Sequence, residues 1–194
     1  MPATSRLNAF MHSAGEHFKK SDTEIARTIS DVLATVHLVP PALAPASTSA
    51  SASLSEMLSD TDDELLMLLA ACAQDLHWRH AGFGRLPRDA DEKLAVVELI
   101  GPDAMFPLPD IRIGLLLQRE GFEYPRHWHA AEELYLILKG TALWAVDDLD
   151  PLVREPGRFV HHKSRQPHRM VTGPEPMIAL WGWAGDVAGT SYAI

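Results

Sequence analysis

The chain has 194 residues, 46% of them hydrophobic and 22% charged, with 17 Lys and Arg against 26 Asp and Glu for a formal net charge of −9. That length supports one domain, or one domain with a sizeable extension, around a proper core. The acidic balance argues against a nucleic-acid partner, whose phosphates call for concentrated Lys and Arg. The single cysteine, Cys72, offers no internal disulfide, the longest apolar run is too short to span a bilayer, and the N-terminus has no apolar signal core, so a cytoplasmic location is expected.

The first half reads as helical. Ser21-Asp22-Thr23-Glu24 has the capping-box pattern and precedes Ile25, Ile29, Val32, Leu33 and Val36, an apolar stripe at helical spacing that Pro40-Pro41 stops. Thr61-Asp62-Asp63-Glu64 repeats the signal ahead of Leu65 to Leu69, and this second helix is expected to run to about Trp78, apolar nearly all round and well buried. Between them, the Ala/Ser-rich stretch 42–56 reads as a surface loop acting as a spacer, with a hinge or lid as the other reading. His12, His17, His37, His77 and His80 fall on these helical segments as surface or packing residues.

From about Leu94 the pattern changes to short strands bounded by Gly and Pro: 94–100, 111–118, 132–139, 141–147, 158–162, 169–172 and 177–183. Strands of this length with turn residues between them predict an antiparallel sandwich or barrel, with the helical part packed beside or against it.

Five of the ten histidines fall between positions 127 and 168. His127 and His129, two apart, point to one side of a strand, and Glu133 and Tyr135 share that relation on the next segment. Were residues 127 to 133 one extended strand, its ends would lie about 20 Å apart, at ~3.3 Å per residue. A common ion with ligands at ~2.0–2.2 Å therefore requires the chain to fold back around Ala130-Ala131, which predicts two adjacent strands. Imidazoles with a carboxylate, joined by His168, suit one divalent transition metal ion such as Zn, Fe(II), Mn or Ni. His161 and His162 alternate to opposite faces of their strand, so at most one lines a pocket.

The run Gly121-x5-His127-x-His129-x3-Glu133-x6-Gly140 resembles the first cupin motif at every specified position. The second motif is matched at Pro156-Gly157 and Pro167-His168, while Lys163 and Arg165 stand where Pro and Gly are usual, and Thr172 where Asn is. The resemblance implies a mainly β fold, a jelly-roll-like cupin double-stranded β-barrel over 91–194, with an α-helical N-terminal extension over 1–90. Tyr124 ahead of HxH, the Glu133-x-Tyr135 pair, the stretch from Pro167 to Trp183 and the helical extension together resemble the cupin-type dimethylsulfoniopropionate (DMSP) lyases of the DddQ type. Those enzymes cleave DMSP to dimethyl sulfide and acrylate by β-elimination.

That resemblance implies a small sulfonium carboxylate as substrate and a metal that binds its carboxylate. It makes Tyr135 the base and a possible ligand, with Tyr124 as a second base or a group that orients the substrate. His127 is a ligand in the general cupin pattern. In the lyase-like reading, His129, Glu133, His168 and Tyr135 hold the ion, and His127 either binds the substrate or supports the ligands from behind. Trp183, which shares a strand face with Trp181, is the favoured aromatic partner for the sulfonium, while Trp128 points the other way. Cupins commonly pair through sheet surfaces, so a homodimer is compatible with the reading; nothing in the chain calls for a nucleic acid or a membrane. Another cupin metalloenzyme (a dioxygenase or an isomerase) and a non-catalytic ligand-binding cupin are the competing classes.

Overall fold

Side-chain alternation along the strands builds this molecule, because one sheet is buried on both faces. The computed structural model describes residues 2–35, 40–82 and 86–194. The strands are β1 (Trp78–Arg79), β2 (Leu94–Gly101), β3 (Phe106–Pro107), β4 (Ile111–Gln118), β5 (Glu123–His127), β6 (Glu132–Lys139), β7 (Ala142–Val146), β8 (Leu152–Arg154), β9 (Phe159–His162), β10 (His168–Thr172) and β11 (Met177–Ala184). They form a seven-stranded sheet in the order β1-β2-β4-β11-β6-β9, with β3 alongside β2, and a four-stranded sheet in the order β5-β10-β7-β8. Every pairing is antiparallel except β2 with β3. This is the mainly β cupin arrangement with N-terminal helices that the motifs imply.

On β6, Leu134, Leu136 and Leu138 face the helices, while Tyr135 and Ile137 face the second sheet. β4 and β11 divide in the same way, so Ile113 and Leu180 pack outward while Leu116 and Trp181 pack inward. Helices α1 (Ala3–Phe18), α2 (Glu24–Thr35) and α4 (Glu64–Cys72) cover the outer face with Leu7, Phe10, Phe18, Ile29 and Leu69, among others. Each fully buried side chain of that size contributes about 1.5–3 kcal/mol of hydrophobic stabilisation. No helix among the described residues is long and apolar enough to cross a membrane.

The local signals in the helical part are displaced from where the sequence suggests. Thr23, not Ser21, caps α2: its Oγ1 accepts the amide of Ala26 at 3.3 Å, while the Ser21 hydroxyl is 3.0 Å from that of Thr23. Asp63 caps α4 by accepting the Leu66 amide at 3.0 Å. Helix α4 ends at Cys72, a 3-10 turn covers Ala73–Asp75, and Trp78 is already in β1. Its burial is one-sided, since Leu65, Leu66, Leu69 and Cys72 are buried but Met67 is 55% exposed. His77 and His80 consequently flank β1 instead of sitting on a helix. The stretch 42–56 is more than a spacer: a 3-10 turn (Ala50–Ser53) and the short helix α3 (Leu54–Met57) bury Ala50 and Leu54 in the helix–sheet core. Short helix α5 (Ala90–Lys93) leads directly into β2. Val36 and His37 lie outside the described residues.

The turns of both motifs hold their shape. Gly140 has φ +75°, and an added Cβ would lie 2.0 Å from the Pro176 carbonyl oxygen, so only glycine fits there. Arg165 occupies the left-handed region at φ 61° where the family pattern has glycine. The cost, about 1–2 kcal/mol, is offset locally: the Arg165 amide donates to the His129 carbonyl at 2.8 Å and the Ser164 hydroxyl to the Ala130 carbonyl at 2.6 Å. The departure from the motif therefore leaves the turn before His168 intact.

Burial pushes the Cys72 thiol up to about 12. At pH 8 only about one thiol in ten thousand is then ionised, and the thiolate is the reactive form. A disulfide-exchange reagent is expected to leave the native protein unlabelled over minutes and to titrate one thiol per chain in guanidinium. Rapid labelling of the native protein would contradict this burial.

Candidate metal centre

Five strands and one connection bring the candidate side chains together between the sheets. Glu133, the second residue of β6, points inward with Tyr135. Its register neighbours are His162 on β9 and Trp183 on β11, and each reaches it with a donor. Trp183 Nε1–H donates to Glu133 Oε1 at 2.6 Å, and His162 Nδ1 lies 3.0 Å from Oε2. From the opposite sheet, His168 opens β10 and is paired in register with His127, the last residue of β5. His129 follows in the connection that crosses from one sheet to the other. Strands β5 and β6 therefore lie in opposite sheets, and the expectation of two adjacent strands is corrected: the fold-back at 130–131 is a crossing of the barrel.

Hydrogen bonds fix which nitrogen of each ring faces the centre. Nδ1 of His127, His129 and His168 each meets a backbone carbonyl, of Pro125 at 2.7 Å, Ala131 at 3.1 Å and Gln166 at 2.9 Å. A carbonyl only accepts, so each Nδ1 carries the proton and each Nε2 presents a lone pair. Nε2 of His129 and of His168 lie 3.3 and 3.2 Å from Glu133 Oε2. These are acceptors facing an acceptor, and the buried His168 Nε2 has no hydrogen-bond partner. The three atoms fall within 4.8 Å of one another. Ligands at ~2.0–2.2 Å from one ion stand about 2.8–3.6 Å apart, across octahedral to tetrahedral angles. The spacing and the convergent lone pairs fit a divalent cation.

His162 is neutral and serves the carboxylate. Trp144 Nε1–H donates to its Nε2 at 3.0 Å, which leaves the proton on Nδ1, facing Glu133. Burial, reinforced by the neighbouring His168, lowers its pKa to about 4. Burial also holds the His127 imidazole well below its ordinary value, with His168 adding to the effect. Tyr135 moves the other way: burial and the Glu133 charge push its phenol well above 10.

A narrow chamber opens beside these groups, lined by Glu133, Tyr124, Tyr135, Trp181, Trp183 and Tyr192, among others. It holds ≈ 410 Å³ counting its mouth, so it suits a compact ligand. The His127 ring is stacked on Tyr124 at 4.4 Å and on Tyr192 at 5.1 Å. It lies 4.2 Å from the His168 ring and 6.4 Å from that of His129, and it stands outside the group of three ligand atoms. Trp128 turns away and stacks under Arg165, whose guanidinium carbon is 5.6 Å from its ring centroid. His161 points outward to Glu132 at 2.6 Å. His12, His17, His77 and His80 take no part in the centre. Sequence reasoning missed Tyr192 and gave His162 little weight. The signals available were that Tyr192 is one of only three tyrosines, and that His162 alternates with an outward-facing partner.

A family model described as dimethylsulfoniopropionate lyase matches residues 17–179. The dimethylsulfoniopropionate lyase DddQ of Ruegeria pomeroyi is 32% identical over 139 residues, covering 67% of this chain and 69% of that protein. The crystal structure of DMSP lyase DddQ from the same organism superposes with a TM-score of 0.76 at 25% identity, over 97% of this chain and 95% of that one. A structure from work on the DMSP lyases RdDddP and RnDddQII gives 0.75 at 23% identity over 98% of both chains.

Proposed function

The chain belongs to the dimethylsulfoniopropionate lyase family, and on that premise we propose that it cleaves DMSP to dimethyl sulfide and acrylate, with Tyr135 as base. The observation that carries this reading is the convergence of His129 Nε2, His168 Nε2 and Glu133 Oε2 beside a tight aromatic chamber. The donor set suits Zn, Fe(II), Mn or Ni. A divalent ion held there supplies positive charge to the substrate carboxylate and to the adjacent phenol.

The rest is the work of side chains. Elimination requires a base at the carbon next to the carboxylate: the proton leaves to the base, its electron pair becomes the new C=C bond, and the C–S bond breaks to release neutral dimethyl sulfide. Tyr135 supports this role by lying on the chamber wall two residues along β6 from Glu133. Burial and the Glu133 charge keep its phenol protonated, and a cation held by His129, Glu133 and His168 would favour the ionised form that a base needs. Tyr124 lines the same chamber and is suited to orient the substrate, with His127 stacked behind it. Trp183 is locked by its hydrogen bond to Glu133 and packs against the His129 ring at 4.1 Å, and the part of it that lines the chamber is what it offers the sulfonium; cation–π attraction there is worth about 0.5–2 kcal/mol.

Anaerobic incubation of the metal-loaded protein with DMSP tests the reading. Dimethyl sulfide is expected in the headspace and acrylate in solution in equal amounts, without oxygen. An absolute oxygen requirement, or no dimethyl sulfide at all, would overturn it.

A further inference from the structure

Segment 186–194 runs from the end of β11 across the chamber and is tied down at several points on the connection that carries His129. Trp128 and Ala193 exchange both backbone hydrogen bonds at 3.0 Å, and the Ala130 amide donates to the Ser191 hydroxyl at 2.8 Å. Beneath it, the Arg112 side chain donates to the Val187 carbonyl at 2.7 Å. Between these ties Tyr192 is laid nearly parallel to the imidazoles of His127 and His129, at 5.1 and 5.8 Å with interplanar angles of 18° and 19°. Its hydroxyl is 2.6 Å from that of Tyr124.

We propose that Tyr192 is a positioning residue for the lyase reaction: segment 186–194 carries it over the two imidazoles so that its hydroxyl fixes the hydroxyl of Tyr124 inside the chamber. The inference rests on the lyase reading and deepens it. Tyr124 has two rotatable side-chain bonds, and its ring stacks on His127, which restrains the ring plane but leaves the hydroxyl to find a partner. Tyr192 is that partner. A substrate-orienting group held in advance spares the complex the cost of ordering it. Tyr192 also presents a further aromatic face to the chamber, next to Trp183 at 6.4 Å and 24°.

The test is a double-mutant cycle on the metal-loaded protein. Tyr192→Phe keeps the ring and removes the hydroxyl, so it is expected to lower kcat about tenfold, the scale of one lost hydrogen bond, with KM and metal content nearly unchanged. Because Tyr192 acts through Tyr124, adding Tyr192→Phe to Tyr124→Phe is expected to change kcat by less than about twofold. A normal kcat in Tyr192→Phe, or losses that multiply in the double variant, would overturn the inference. A second readout needs no turnover: the slowly exchanging proton shared by the two hydroxyls gives a downfield resonance that is lost in Tyr192→Phe. Wild-type protein that releases no dimethyl sulfide overturns the lyase reading instead. The resonance then decides the link alone, and its persistence in Tyr192→Phe overturns it.

Discussion

Tyr135→Phe is expected to keep the fold and the bound metal while lowering DMSP turnover by about 10²–10⁴-fold, the range for removing a general base. The substitution conserves the ring, which packs edge-on against Trp144 at 4.9 Å and stands opposite Val160 and Trp181 in the sheet. Its effect on stability is therefore limited to one hydroxyl, about 1 kcal/mol. The barrier, by contrast, rises by about 3–5 kcal/mol at 1.36 kcal/mol per decade. The comparison is made by kcat with metal content measured on the same samples. A near-normal rate at full metal content would remove Tyr135 from the mechanism.

Chelation is expected to abolish turnover, and a divalent transition metal to restore it. The ligand atoms explain why the effect is all-or-none: Nε2 of His129 and His168 present lone pairs to a carboxylate oxygen, and a cation is what reconciles them. The helix–sheet core does not depend on these residues, so the stripped protein should remain folded, with a lower Tm that rises on adding metal. His168→Ala should bind metal at least about 100-fold more weakly, since a three-residue set loses one member. Full activity in protein shown to be metal-free would exclude the cation from the reaction.

Much of this architecture was legible in the sequence, and the exceptions have identifiable physical causes. The central strands β4 and β6 match their expected bounds because both faces are buried and each has an apolar middle, 113–117 and 134–138, closed by polar residues. β5 was inferred only from the HxH spacing and not from its own pattern, because Pro125 sits within it; it lies at the edge of its sheet, where a missing amide is tolerated. β8 escaped for a related reason, as an edge strand with Leu152 and Val153 more than half exposed. The end of α4 carries no Gly or Pro, so nothing local announced it. In the site, HxH, Glu133 and His168 were found by spacing, and the structure brings His129, Glu133 and His168 together. Tyr192 escaped because it follows the last strand in an irregular segment, where neither period nor motif operates. His162 was undervalued because its importance arises from being opposite Glu133 across a ladder, a relation between strands far apart in sequence.

The two oxygens of Glu133 are addressed from both sides by residues directly abreast of it, one on each flanking strand. The carboxylate is thus held by donors that are themselves fixed in the ladder, and no rotation of the Glu133 side chain can move it without breaking the bonds from Trp183 and His162. Tyr124, His129 and Tyr192 instead hang on an edge strand, a crossing connection and an irregular strip. The cavity has an anvil on one side and adjustable tooling on the other. Adaptation to a differently shaped sulfonium is then expected to accumulate in 121–131 and 186–194, while the ladder around Glu133 stays unaltered.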